Sequence, residues 1–375
     1  MILSDTQEAI RDAVRSFAQE RIRPHSVGFE AAKGYPPGLF EELAALGLMG
    51  MTAPEEVGGA GADYVSYALA LMELAAADGA LSTIVSIQNS LIVSGLLKDG
   101  TPEQRARFLP DLIAGRMIGA FALTETDAGS DASAIRTRAQ KVDGGYRLNG
   151  AKQFISSGRI AGIAIVYAVS DPAAGKRGIS GFIVPTGSPG YSVDKVEHKL
   201  GQGASDTCAI RFEDVFVEDA LRLGAEGAGY GIALSNLEMG RIGIASQSVG
   251  MAQAALEIAV AYAKERKSMG KFIIEHQAVG FRLADLASRL EAARQLVLHA
   301  ASLKDAGIPS LKEASMAKLV ASETAEAVVS GAIQTLGGYG YLEEFSLAKI
   351  YRDVRVCQIY EGTSDIQRMV IARAL

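Results

Sequence analysis

The hydrophobic period of this chain changes twice, and that pattern limits the folds open to it. Up to Gly115 apolar residues recur at helical spacing, as in Ile10, Val14, Phe17 and Ile22. Ser4-Asp5-Thr6-Gln7 ahead of them has the form of a capping box, and Pro24 is expected to close the segment. Pro37 to Leu48, Asp63 to Asp78 and Leu81 to Lys98 read as further helices, and Thr101-Pro102-Glu103-Gln104 starts another with Pro at its first position. From Ile118 to Val217 the chain breaks into short alternating or continuous apolar runs: Ile163 to Val169, Ile179 to Val184 and Cys208 to Val217. Asp143-Gly144-Gly145 suits a hairpin turn between two such runs. After Tyr230 long helical stretches return: Gly231 to Arg266, His276 to Ala306 and Leu311 to Leu336, then the shorter Phe345 to Val356 and Ser364 to Ala374. With 375 residues, too many for one ordinary core, this predicts a multidomain α and β protein. Its parts are an all-α domain over 1–117, a β sandwich or small barrel over 118–222, and an antiparallel helical bundle over 223–375.

Composition removes several function classes. The net charge is -6 and no basic block is present, which argues against a nucleic-acid partner. The two cysteines, Cys208 and Cys357, lack metal-site spacing, and the four histidines are scattered, so no metal is expected. The start, MILSDTQEAI, lacks the pattern of a secretory signal, and no apolar run approaches the roughly 20 residues of a membrane span. The expected setting is the cytoplasm of a bacterial-type cell; a processed organelle-matrix chain would look the same.

The chemistry must come from loops. No GxGxxG follows a strand, and Gly227-Ala228-Gly229-Tyr230-Gly231 has the wrong spacing. Ser315-Met316-Ala317-Lys318 matches the SxxK pattern of serine-nucleophile enzymes, but it lies mid-helix without the companion motifs. Two segments carry more. Ala122 to Asp131, ALTETDAGSD, mixes hydroxyls, carboxylates and small residues at the helix-to-strand changeover, where backbone can approach a ligand closely. Gln358 to Gln367, QIYEGTSDIQ, places Glu361 just outside a helix start whose Ser364 to Gln367 fits a capping box. Free amides there suit a pyrophosphate, and a carboxylate beside apolar groups gains basicity. Each segment also has a plain reading, as a polar interdomain loop and a helix cap.

ALTETDAGSDASA and IYEGTSDIQ resemble the two signatures of the acyl-CoA dehydrogenases; QTLGGYGY and ERKSMGKFIIEHQ are similar to further family segments, in family order. The resemblance spans essentially the whole chain. It implies FAD as cofactor and removal of the α-proton of an acyl-CoA while a β-hydride passes to flavin N5. It implies carbonyl polarisation by the base's backbone amide and a flavin ribityl hydroxyl, a homotetramer built as a dimer of dimers, and electron-transfer flavoprotein as electron acceptor.

The resemblance also places residues. Glu361 falls on the catalytic base; the alternative base position of some branches is Gly240 here. Phe121, Leu123 and Thr124 should line the flavin, joined by Gly129 and Ser130. Phe154, Ile155 and Ser156 match a segment that usually begins with Trp, Phe154 stacking and Ser156 bonding near N5. Arg266, Ser268 and Gln277 resemble residues that hold the pyrophosphate from a neighbouring subunit, with Met269 where an aromatic is usual. Gln334, Gly337 and Gly338 match the adenine end, and Thr363 and Asp365 the helix start. Ser130, Glu238 and Arg241 match CoA-contacting positions, with Tyr230 and Gly362 as weaker substrate candidates. The Ile87 to Ile92 stretch resembles short and short-branched members, which implies an acyl chain of roughly four to six carbons, straight or 2-methyl branched, in fatty acid β-oxidation or branched-chain amino acid degradation. Glu361 argues against a same-fold nitroalkane oxidase or flavin monooxygenase, which typically replace this base, and the intact base, flavin loop and pyrophosphate segments argue against a flavin-binding scaffold without turnover.

Overall fold

The computed structural model describes residues 1–375. The first helices are α1 (Asp5–Phe17), α2 (Ser26–Ala32), α3 (Leu39–Ala45), α4 (Tyr64–Ala77), α5 (Gly79–Ile87), α6 (Ser94–Asp99) and α7 (Pro102–Ile113). Ser4 and Thr101 form full capping boxes with Gln7 and Gln104, as their spacing predicts. Pro24 does not close the first segment. The backbone runs from α1 through a π turn at Ala18–Ile22 and a 3-10 turn at Arg23–His25 into α2. Pro24 sits at the start of the 3-10 turn, where a missing N–H costs no helix bond.

A second correction concerns the apolar runs. α5, a π segment at Gln88–Val93 and α6 form one helical stretch, Gly79–Asp99, whose 21 residues are long and apolar enough to cross a membrane. Interspersed Ser, Thr, Gln and Asn hide it from a search for uninterrupted runs. Its apolar window is 89% buried in the fold, so it is the core helix of the first part. The amides in its π segment hold loops. Gln88 donates to the carbonyls of Leu112 and Met117 and accepts from the Gly119 amide, at 2.9, 3.0 and 3.0 Å. Asn89 donates to Leu48 and Val85 and accepts from the Met51 amide. Gln88 thereby fixes where the sheet begins.

The strands are β1 (Gly119–Ala122), β2 (Arg138–Val142), β3 (Gly145–Ser156), β4 (Ile163–Val169), β5 (Ile179–Pro185), β6 (Tyr191–Val196), β7 (Thr207–Glu218) and β8 (Arg222–Leu223). They form one sheet in the order β6-β7-β3-β2-β4-β5-β8, with β1 parallel to β4. β2 and β3 make the expected hairpin, Gly144 taking φ 73° at the turn. β4 and β5 are buried residue after residue, which is why their sequences read as continuous apolar runs.

The last part begins with α8 (Gly229–Glu265), followed by the two-residue strands β9 (Lys267–Ser268) and β10 (Lys271–Phe272). α9 (Gln277–Asp305), α10 (Leu311–Leu336), α11 (Leu347–Val354) and α12 (Ser364–Arg373) complete it. α4 joins the core of this bundle through Val65, Leu69 and Met72. Gly250 permits the approach, because a Cβ there would lie 2.1 Å from the Met72 carbonyl oxygen.

A buried ion cluster ties the three parts together. Asp78 caps α5, and Ser26 and Tyr35 donate to its carboxylate. Lys349 reaches Asp353 at 2.6 Å and Asp78 at 3.3 Å, and Asp353 also accepts from the Gln202 amide. All three charged side chains are at most 7% exposed. Removing the cation would leave two buried carboxylates facing each other. Lys349→Met should therefore destabilise the protein by about 3–5 kcal/mol, measured by chemical denaturation; a change below about 1 kcal/mol would show that solvent reaches the cluster.

Candidate active site

Glu361 stands in a two-residue left-handed turn ahead of α12: its φ is 52° and that of Gly362 is 89°. A non-glycine residue held in this region stores strain, which surrounding contacts must offset. Those contacts are visible. Gln367 donates to the carbonyls of Glu361 at 3.2 Å and Gly362 at 2.9 Å, and Lys318 of α10 donates to the Gly362 carbonyl at 2.7 Å. This corrects the capping-box reading of Ser364 to Gln367. Thr363 is the N-cap, accepting from the Ile366 amide, and Gln367 is spent on the turn instead.

The Glu361 carboxylate rests on α8 at Gly240. A Cβ at Gly240 would lie 1.9 Å from Glu361 Oε2, so no other residue fits there while Glu361 keeps this pose. Oε2 is shut off from solvent and has no hydrogen-bond partner. Burial pushes the carboxyl up to about 7, against the opposing pull of Lys318 and then Arg241. Arg241, the next residue on α8, is 7% exposed, and its Nε and Nη1 have no partner. Burial lowers its guanidinium pKa, against the attraction of Glu361 and Glu238. A carboxylate oxygen and a guanidinium edge, both buried and unsatisfied, suit a polar ligand between the parts of this site.

The residues around Glu361 come from all three parts of the chain. The Tyr360 hydroxyl donates to Gln247 of α8 at 2.5 Å and accepts from Gln202 at 3.3 Å, with Thr83 of α5 at 3.5 Å. One turn along α8 from Gly240, Gly243 makes room for a pair of buried hydroxyls. A Cβ there would lie 2.2 Å from Ser86 Oγ and 2.9 Å from the Tyr67 hydroxyl. Burial raises the Tyr67 pKa, and the Glu361 charge adds to that.

The first signature forms a rigid loop. Glu125 accepts from the amides of Arg136 and Thr137 at 2.6 and 3.0 Å and from Lys152 at 2.8 Å. Lys152, fully buried, also donates to the Leu123 carbonyl, and burial pulls its pKa down to about 8. Phe121 packs on Tyr167 with ring centroids 5.2 Å apart. The Thr124 carbonyl accepts from the Gln153 amide, which joins this loop to β3. There β3 slips register against β7 between Lys152 and Ile155. The bulge gives Phe154 φ 60° and leaves it 62% exposed, while Ile155 is buried and Ser156 half-buried. Gly129 and Ser130 are exposed, and Gly129 faces open space.

A third group lies elsewhere. Arg266 follows α8, Ser268 is in β9, Gln277 opens α9, and Gln334, Gly337 and Gly338 lie where α10 ends. All six are exposed. The Arg266 guanidinium sits over the Tyr339 ring at 6.0 Å, beside a cavity of about 430 Å³ that Tyr262, Thr335, Gly337 and Gly338 also line. Gly337 needs its glycine for φ 62°. Arg266 lies 26 residues beyond Gly240, about 39 Å along α8 at a rise of roughly 1.5 Å per residue. The structure therefore brings Glu361, Gly362 and Arg241 together, and Phe121 to Thr124 together with Phe154 to Ser156, but sets the Arg266 group apart from Glu361. Of the remaining candidates, Asp365 is exposed and paired with Arg368 at 3.2 Å. Glu238 accepts from Ser310 and lies 3.8 Å from Lys304, and Tyr230 is half-buried under Lys176. Sequence reasoning missed Lys152, Gln202, Gln247 and Tyr67, and it gave Lys318 no part in this site.

Comparison with known proteins identifies the family. Family models described as the acyl-CoA dehydrogenase N-terminal, middle and C-terminal domains match residues 4–116, 120–215 and 227–375. An acyl-CoA dehydrogenase of Bacillus subtilis is 45% identical over 375 residues, covering 100% of this chain and 99% of its own. The caffeyl-CoA reductase–Etf complex subunit CarC of Acetobacterium woodii is 43% identical, covering 100% and 99%. The structure of butyryl-CoA dehydrogenase from Megasphaera elsdenii superposes with a TM-score of 0.97 at 41% identity, covering 100% of this chain and 99% of that one. The chain belongs to the acyl-CoA dehydrogenase family, oxidoreductases that act on acyl-CoA thioesters.

Proposed function

We propose that this protein is a short-chain acyl-CoA dehydrogenase in which Glu361 removes the substrate α-proton, FAD is the cofactor and an electron-transfer flavoprotein takes the electrons. The observation that carries the reading is the Glu361 carboxylate itself: its Oε2 is buried without a partner, and burial raises the group to about 7. Arg241 would bind a polar part of the substrate through its unpartnered guanidinium edge, as the family's CoA-contacting position implies. Ser130, Tyr230, Glu238 and Gly362 are proposed at the substrate on the resemblance alone. The Glu361 backbone amide would polarise the thioester carbonyl, and the hold of Gln367 and Lys318 on the turn fixes its direction.

The residues suit FAD. The exposed bulge at Phe154, the half-buried Phe121 and the pinned loop from Leu123 to Thr124 offer an aromatic platform with backbone donors. Ser156 would bond the ring edge, and Gly129 and Ser130 would border it. Thr363 would hold phosphate at the start of α12; Asp365, an exposed anion, would serve only through its backbone amide. Arg266, Ser268, Gln277, Gln334, Gly337 and Gly338 would grip a pyrophosphate and adenine, since the open space at Gly337 and Gly338 admits close approach. When bound, FAD supplies the acceptor for the β-hydride. About 39 Å of α8 separates the Arg266 group from the base, longer than one dinucleotide, so that group would serve a neighbouring subunit. Met269, Phe281 and Tyr341, which are 92%, 68% and 85% exposed, lie in the same region and suit a subunit interface. A homotetramer is therefore expected by sedimentation; a monomer's mass at micromolar concentration would remove this part of the reading.

A short substrate is supported by the M. elsdenii relative and by the Tyr67–Ser86 pair beside Gly243, which places bulk one helical turn from the base. Reduction of the purified protein should be followed anaerobically with butyryl-CoA, 2-methylbutyryl-CoA and octanoyl-CoA across pH. A short substrate should bleach the flavin most efficiently, and kcat/KM should rise with pH through about 7, because Glu361 works only when deprotonated. Glu361→Gln should keep the flavin and lose about 10²–10⁴-fold in rate. Preference for octanoyl-CoA would overturn the chain length. A variant that still reduces its flavin at the native rate would overturn the base.

Gly240 offers an independent check. Gly240→Ala should displace the Glu361 carboxylate and cut kcat/KM by roughly 10²-fold or more with flavin retained. Unchanged turnover would mean that Glu361 works from another pose.

A further inference from the structure

Lys318 is a buried cation at this site whose hold on the Glu361–Gly362 turn does not by itself call for a charge. Its side chain is fully buried in α10, among small residues that include Ala314, Ala317 and Ala321. Its hydrogen bond goes to the Gly362 carbonyl, and Gln367 already donates to the same oxygen. The carbonyl therefore has a neutral donor without Lys318, and burying an ammonium is costly unless its charge is used.

The groups facing it show where that charge acts. From the segment before α12 come Glu361 and Cys357, and from α8 comes Arg241, which faces Glu361 and Glu238 in turn. From α4 comes Tyr67, a neutral phenol that feels the Glu361 charge. Glu361 is the carboxylate in direct range, and Oε2 takes no hydrogen bond from Lys318 or any other group. The lysine therefore influences the carboxylate without hydrogen-bonding to Oε2.

We propose that Lys318 is a positioning residue for the catalytic base, holding the Glu361–Gly362 turn against α10 and keeping a fixed positive charge beside the Glu361 carboxylate. This rests on the reading of Glu361 as the base. Burial alone would drive the carboxyl still higher than about 7, where little of it would be ionised at neutral pH; Lys318 is the foremost opposing influence and Arg241 the second. Burial lowers Lys318 itself to about 8, against the opposing attraction of Cys357 and Glu361.

The test compares Lys318→Met, Lys318→Gln, Lys318→Arg and Glu361→Gln in the FAD-loaded enzyme, scoring flavin occupancy, melting temperature and the pH profile of kcat/KM with butyryl-CoA. An infrared titration of the protonated carboxyl band, assigned by its loss in Glu361→Gln, reads the base without turnover. Lys318→Met and Lys318→Gln should move both the acidic limb and the infrared midpoint upward by about one pH unit. Lys318→Arg should bring them back towards the native position. Native midpoints in Lys318→Met or Lys318→Gln, whatever happens to the maximal rate, would overturn the proposal. So would failure of both neutral variants to hold flavin while Glu361→Gln holds it, since Lys318 would then be purely structural. A Glu361→Gln enzyme that keeps native turnover would instead refute the base and leave the Lys318 infrared result to be judged separately.

Discussion

The contact between the Glu361 carboxylate and the bare backbone of α8 at Gly240 is the constraint on which the site depends. A Cβ at Gly240 would sit 1.9 Å from Oε2, so the chain can have a side chain at one of these two places but not at both. Helix and carboxylate are thereby in direct contact, and burial raises the carboxyl to about 7. The left-handed φ of Glu361 follows from the same demand, because the chain must turn sharply to lay the side chain on the helix before starting α12. Strain in the turn is offset by Gln367 and Lys318, which hold the two carbonyls that a relaxed turn would leave to water.

Much of this was legible in the sequence, and the part that was not has a common cause. The change of period predicted helices, then strands, then helices, because amphipathic spacing is a local property. The ALTETDAGSD and QIYEGTSDIQ segments stood out by their mix of hydroxyls, carboxylates and glycine, whereas the Arg266 and Gly337 segments were picked out only by their resemblance to family segments. The misses concern residues whose meaning lies in contacts distant along the chain. Lys152 reads as an ordinary strand lysine until its ammonium is seen on Glu125 and the Leu123 carbonyl. Gln88 and Asn89 belong to a stretch read for substrate length, yet both side chains are spent on loop backbone. Lys318 did carry a local signal, since it falls among the inward Ala positions of α10 where a solvated lysine would not belong. Pro24 and Ser364 went astray because a breaker or cap motif has more than one solution: a 3-10 turn absorbs the first, and Thr363 pre-empts the second.

The electrostatics of the site are a balance between burial and two cations, and the balance explains why both cations are themselves buried. A surface lysine would be screened by water and salt and would alter the base little. Arg241 and Lys318, at 7% and 0% exposure, act through a medium of low polarity, where one charge can offset the desolvation of another. They differ in what else they do. Arg241 keeps Nε and Nη1 without partners, as a group awaiting a ligand does, whereas Lys318 is committed to the Gly362 carbonyl.

The position of Tyr360 carries this logic to the scale of the whole molecule. Its hydroxyl meets Gln247 of α8, Gln202 of the segment after β6 and Thr83 of α5, one from each part of the chain. Gln202 in turn gives its amide to Asp353, and Asp353 belongs to the cluster with Lys349 and Asp78. The residue before Glu361 is thus bonded into the network by which the three parts meet. Apolar contact alone would tolerate small slips between the parts, since it has little directional preference. A buried network in which each donor has a set acceptor does not, because a slip leaves polar groups unsatisfied. Placing that network one residue from Glu361 makes the alignment of its carboxylate and the docking of the three parts the same structural event.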